Sequence, residues 1–156
     1  MINPKISIII PCFQQAEFLP MAIESCLTQT VKPHEIIVII DGCEPSLKVA
    51  KEYEKEGIKV INQVNKGLAS ARNTGIMNAT GDYILPLDSD DMFYETCVEK
   101  ITKKIEETDA DIVAPSFKCF GLNNDTIILQ SDGLIAKSFI KANRIGYFSA
   151  YRRSTA

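Results

Sequence analysis

At 156 residues, with 46% hydrophobic and 24% charged residues, the chain has the size and composition of one soluble globular domain with its own core. A formal net charge of -3, spread over interspersed lysines and glutamates, gives no sign of the basic surface that nucleic acid or an anionic membrane requires. No apolar run approaches the roughly 20 residues that span a bilayer, the start lacks a leader-like apolar stretch, and five scattered cysteines form no C-x-x-C pair; the expectation is one cytoplasmic domain over 1–156 with reduced thiols, no nucleic-acid partner and no membrane span.

Ile6-Ser7-Ile8-Ile9-Ile10 is an almost unbroken β-branched run, which predicts a central parallel strand buried on both faces and stopped by Pro11. Leu19, Ala22, Ile23, Cys26 and Leu27 then recur at helical spacing, with Pro20 tolerable in the first turn. The lone His34 reads as a turn residue. Residues 35–40 repeat the buried-strand signature and stop at Asp41-Gly42. Glu44-Pro45-Ser46 opens a second helix with Leu47, Ala50 and Tyr53 inward and Gly57 as its C-terminal cap, and residues 58–61 form a short third strand.

Asn65-Lys66-Gly67 leads into a third helix whose stripe of small residues, including Ala71, Gly75 and Ala79, lets it lie close to a sheet. Arg72 falls within that stripe, and a guanidinium turned inward needs an anion, either a ligand or an acidic neighbour. Residues 83–87 predict a buried fourth strand that runs straight into Asp88-Ser89-Asp90-Asp91. Phe93, Cys97, Val98, Ile101, Ile105 and Thr108 mark a fourth helix, and residues 111–115 a fifth strand. Beyond them, residues 117–120 and 126–129 read as a hairpin, 135–142 as a short helix and 147–153 as a strand.

Strands alternating with helices imply right-handed crossovers and a doubly wound, mostly parallel α/β sheet, in which ligands bind beyond the carboxyl ends of the strands. Three carboxylates within four residues at such an edge repel one another unless a cation sits among them, and Mg²⁺ or Mn²⁺ held by Asp-x-Asp can clamp a diphosphate. Helix capping by Asp91 is the plainer alternative, and it accounts for one acid of the three. Phe13 could lie against a base or enter the core, Asp41 could accept a base or ribose hydrogen bond, and Arg72 or Lys66 could meet phosphate charge. Neither a P-loop nor a G-x-G-x-x-G turn is present, so the edge reads as a nucleotide diphosphate site of another kind.

Ser7-Ile8-Ile9-Ile10-Pro11-Cys12-Phe13, Leu27-Thr28-Gln29-Thr30, residues 35–42, Asn65-Lys66-Gly67-Leu68-Ala69-Ser70-Ala71-Arg72-Asn73-Thr74-Gly75 and residues 81–91 together resemble the family 2 glycosyltransferases, inverting nucleotide-sugar enzymes of the GT-A fold. The resemblance runs in unbroken order from residue 5 to about 115. It implies Mn²⁺- or Mg²⁺-dependent transfer from a nucleotide-diphosphate sugar such as a UDP-sugar to a saccharide or lipid-linked acceptor, as in polysaccharide biosynthesis. It also implies that Pro11, Cys12 and Phe13 line the nucleobase pocket, Asp41 bonds the base, Arg72 lies near the diphosphate, Asp88 reaches the ribose or the metal shell, and Asp90 ligates the metal. Gln15, Lys66 and Ser89 join the same nucleotide-sugar site.

Two departures stand out: Gln14-Gln15 replaces the usual Asn-Glu, and Ile40-Asp41-Gly42-Cys43 the usual Asp-Asp-Gly-Ser. The resemblance places the general base in an acceptor-binding half expected beyond Ala156, since no acid follows Asp132 and Asp132 itself reads as a turn residue. The rival readings are a nucleotide-sugar-binding module without turnover and a phosphatase of the haloacid dehalogenase type, whose acidic signature belongs on the first strand.

Overall fold

The computed structural model describes residues 4–118, 126–127 and 148–155. Four parallel strands form its centre: β1 (Ile6–Cys12), β2 (Glu35–Asp41), β3 (Lys59–Gln63) and β4 (Tyr83–Pro86). Helices α1 (Leu19–Leu27), α2 (Glu44–Glu52) and α3 (Leu68–Asn78) cross between them, and α4 (Cys97–Thr108) leads to β5 (Ile112–Val113). Phe117–Lys118 (β6) and Thr126–Ile127 (β7) pair as an antiparallel ribbon, and Ala150–Arg152 (β8) rejoins the main sheet. The sheet order is β3-β2-β1-β4-β8-β5, with β8 antiparallel to both of its neighbours.

The continuous apolar runs are explained by burial on both faces. Ile8, Ile10, Val38, Ile40 and Leu85 point into a core shared with α1, α2 and α4. The alternate residues Ile9, Ile37, Ile39 and Ile84 point to the other face, under α3. That second layer is thin because α3 presents little more than Cα and methyl groups. A Cβ built on Gly75 would stand 2.9 Å from Ile39 Cδ1 and 3.1 Å from Ile9 Cβ. Gly75→Ala is therefore expected to destabilise the fold by about 1–3 kcal/mol through overpacking, in spite of the better helix propensity of alanine; urea denaturation measures it, and a stabilised variant would show that α3 can move outward freely.

Several expectations are corrected in detail. Pro11 does not stop β1, which continues through it to Cys12, opposite Ile39 and Ile40. The amide that proline lacks faces the side on which β4 has already ended: Ile9, two residues earlier, makes the last bond there, to Leu87 N at 3.0 Å. Strand β4 accordingly closes at Pro86, one residue short of the expected 83–87. Strand β3 lies at 59–63, where 58–61 was expected, and Gly57, at φ 86°, caps a 3-10 turn over Glu54–Glu56 that follows α2. β5 shrinks from 111–115 to two residues.

The fourth helix begins at Cys97, with Thr96 as its cap position, so Phe93 and Asp91 both lie before it and Asp91 is not its cap residue. The predicted terminal strand exists as Ala150–Arg152 within 147–153, while residues 135–142, 119–125 and 128–147 lie outside the described residues. Arg152 secures β8 by hydrogen bonds of 2.7 Å to both Asp109 and Asp111 and by lying 5.0 Å over the Tyr83 ring. His34 is exposed in the turn before β2, with Nε2 3.0 Å from Thr80 Oγ1. Cys12, Cys26, Cys43 and Cys97 are free thiols, as expected, and burial pushes Cys97 up to about 11. Among the described residues no helix is long and apolar enough to cross a membrane.

Candidate functional site

Among the four parallel strands the chain order turns at one place. From β1 it winds outward through β2 to β3, then returns to the opposite side of β1 as β4, so the connections leaving β1 and β4 diverge and open a crevice at their carboxyl ends. Phe13-Gln14-Gln15 follows β1 into that crevice, Asp88-Ser89-Asp90 follows β4, and Asp41 ends β2 alongside.

Phe13 is 42% exposed, which decides between its two readings: it stands on the edge and is not part of the core. Pro11 and Cys12 are buried, and Cys12 packs in the cluster shared with α1 and α2, so of these three residues Phe13 alone offers its side chain to a ligand. Gln14 beside it takes φ 57°, a conformation uncommon outside glycine, and this turns the chain sharply out of β1. Gln15 spans the crevice: its Nε2 donates to Asp90 Oδ2 at 2.9 Å, and its Oε1 accepts from Ser89 Oγ. That bond turns the buried Ser89 hydroxyl toward Gln15.

Asp41 is 2% exposed and works as an internal anchor. Its Oδ1 accepts from Gln63 Nε2 at 2.7 Å and from Lys66 N at 2.9 Å; its Oδ2 accepts from Gly67 N at 2.8 Å. Burial raises the proton affinity of this carboxyl, but the Lys66 amide, Gln63 and the Gly67 amide together outweigh it and hold the group below the ordinary carboxylate range. A carboxylate has about four acceptor positions, and these bonds take three of them, two on Oδ1 and one on Oδ2. Lys66 reaches Asp41 through its backbone, and its side chain is exposed.

The turn that Asp41 organises passes so close to Gly42 that a Cβ there, at φ 77°, would lie 2.7 Å from Asn65 N. Gln63 was not singled out from the sequence, yet it extends the anchor to α3, where Thr74 Oγ1 donates to its Oε1 at 2.6 Å. Only the end position of Gln63 on a strand could have signalled this, and that is a weak sign.

Arg72 finds its anion in Asp88, with Nη2 2.6 Å from Oδ1 and both side chains about a quarter exposed. The neighbour that satisfies Arg72 is thus itself a member of the acidic turn, and the two readings of Arg72 converge on one place. Asp90 is exposed. Among the described residues no group of three His, Cys, Asp or Glu side chains comes together as a metal cage. The donors present, Asp90 and Asp88, fit Mg²⁺ or Mn²⁺ as a shared site in which phosphate oxygens and water fill most of the shell.

Over residues 7–155 the chain matches the family model described as glycosyl transferase family 2. It is 37% identical over 123 residues to Glycosyltransferase GlyA of Streptococcus pneumoniae, a match that covers 77% of this chain and 18% of that protein. S. aureus TarS 1-349 in complex with UDP-GlcNAc superposes with a TM-score of 0.79 at 20% identity, covering 96% of this chain and 46% of that one. The mannosyltransferase PcManGT from Pyrobaculum calidifontis, solved with GDP-Man and Mn²⁺, gives 0.73 at 14% identity over 98% of this chain and 46% of that one. At those identities the two structures establish the GT-A fold, and the chain spans less than half the length of each protein named.

Proposed function

The chain belongs to glycosyl transferase family 2, and from that premise we propose that it binds a UDP-sugar in the crevice between β1 and β4 and serves inverting transfer of the sugar to a hydroxyl of a saccharide or lipid-linked acceptor. The observation that carries this reading is the meeting of an exposed aromatic, a guanidinium–carboxylate pair and an exposed aspartate where the order of the parallel strands turns. Phe13 lies against the base. The remaining acceptor position of Asp41 Oδ2 takes an N–H of the base, and Arg72 meets the diphosphate in place of Asp88. Asp90, with Asp88, holds Mg²⁺ or Mn²⁺, which when bound supplies Lewis-acid stabilisation of the departing diphosphate. Asp41, Asp88 and Asp90 all serve the donor in this scheme, so the general base for the acceptor is assigned to none of them. The complexes of TarS with UDP-GlcNAc and of PcManGT with GDP-Man and Mn²⁺ support a nucleotide-sugar ligand and a divalent ion.

Thermal unfolding with UDP tests the proposal. With Mn²⁺ present, UDP at about 100 times its Kd should stabilise the fold by about 2.7 kcal/mol. Equal stabilisation in EDTA would remove the metal from the scheme, and none under either condition would remove the nucleotide.

A further inference from the structure

The acidic turn sits on a long connection. Between Pro86 at the end of β4 and Cys97 at the start of α4 the chain forms neither helix nor strand. Its near end is fixed to β1 by Leu87 N, which donates to Ile9 O at 3.0 Å, and within it Asp91 N closes a turn on Asp88 O at 3.0 Å. The far end is tied to another element altogether, the C-terminal part of α1 and the residues after it. Phe93 N donates to Ser25 Oγ at 3.1 Å, and Thr30 N donates to Glu95 O at 2.8 Å.

Between those two ties lies Gln29, a polar side chain only 1% exposed. Its Nε2 donates to Ser25 O at 2.8 Å and to Tyr94 O at 2.9 Å, while its Oε1 accepts from Val98 N at 2.9 Å. Thr96, at the cap position of α4, makes no side-chain cap bond, and Gln29, two residues beyond the end of α1, caps α4 from outside it through Val98 N. One amide therefore sets both the far end of the acidic connection and the entry of the helix that follows it.

Resting on the donor-site reading above, we propose that Gln29 is a positioning residue for Asp88 and Asp90. It touches neither nucleotide nor metal. Its buried amide holds the connection at a fixed distance from β1, and so holds the two carboxylates where a diphosphate-bound ion can reach both. The base pocket rests mainly on different elements, since Phe13 follows β1 and Asp41 ends β2, with Gln15 linking it to Ser89 and Asp90. Loss of Gln29 should consequently weaken the metal-dependent part of nucleotide binding and spare the metal-independent part.

The experiment is calorimetric titration of UDP into the wild type and Gln29→Met, once with Mn²⁺ and once with EDTA, at a temperature where circular dichroism shows both folded. Methionine keeps the volume and removes all three hydrogen bonds. The expected result is an at least tenfold fall in the ratio of Mn²⁺ to EDTA affinities, with the EDTA affinity within about twofold of wild type. A lower melting temperature with that ratio unchanged would show that Gln29 is merely structural and overturn the proposal. If Gln29→Met does not fold, Ser25→Ala, which removes the neighbouring tie to Phe93 N, decides the matter by the same ratio: a fall supports the proposal and an unchanged ratio overturns it. A wild type that binds no UDP under either condition would instead strike at the donor-site reading itself.

Discussion

Asp41→Ala should unfold the protein at a far lower urea concentration than wild type at pH 7, with a loss of about 3–5 kcal/mol from a total of about 5–15. The argument rests on what remains after the carboxylate is gone. Two backbone amides, of Lys66 and Gly67, and the Gln63 side chain lose a charged acceptor at a position that is 2% exposed. Hydrogen bonds to charged groups are worth about 1.5–3 kcal/mol each, and stranded buried donors add a desolvation cost. Asp41→Asn keeps the shape but presents an amide nitrogen to one set of donors, so it should recover only part of the loss.

The difference also has a pH signature. Because the Asp41 carboxyl lies below its ordinary value in the folded state, its contribution is fully present above about pH 4 and is lost as pH falls through the lower native pKa. Wild type and the Asn variant should therefore converge in stability under strongly acidic conditions. A loss below about 1 kcal/mol at pH 7 for the Ala variant would mean that the 65–67 turn holds itself without Asp41.

Asp90→Ala should have the opposite profile, with stability within about 0.5 kcal/mol of wild type and the Mn²⁺-dependent gain in UDP affinity reduced about 100-fold or more, equivalent to about 2.7 kcal/mol. Asp90 is exposed, and its one described side-chain partner is Gln15. Since α4 starts at Cys97, the substitution removes no helix cap. A stability loss of about 1 kcal/mol together with intact metal-dependent binding would mean that the acid is structural after all. Melting and titration of the same preparation separate the two outcomes.

The elements and their layering were legible because a strand buried on both faces is apolar at nearly every position, Ser7 being admitted by its bonds to Glu35 and Gly81. Runs such as 6–10 and 35–40 announce themselves without reference to any partner. The acidic edge was legible for a related reason: an apolar strand that ends in three carboxylates leaves them nowhere to go but the rim of the sheet. What escaped were features set by partners distant in the chain. Pro11 is tolerated because β4 happens to end beside it, which no local pattern around Pro11 records. Asp41 looks from the sequence like an acid available to a ligand, whereas most of its hydrogen-bonding capacity is taken by residues 63–67. Gln29, in the short Leu27-Thr28-Gln29-Thr30 segment, gave no sign that it would reach across to Tyr94 and Val98.

The place of β8 has a consequence for how the molecule is born. Strand β4, which delivers the acidic turn, has β1 on one side and β8 on the other, and among the described residues β5 joins the sheet through β8 alone. On the ribosome, β1 to β4 emerge long before Ala150, and domains assemble as their parts appear. Throughout that interval β4 is an outer strand with unpaired amides and carbonyls, a template for pairing with other chains. Closing β8 against it demands contact between Tyr83 and Arg152, a long loop in sequence that slows the last step of assembly. The strand that leads into the acidic turn is thus also the edge an unfinished chain exposes to pairing with other chains.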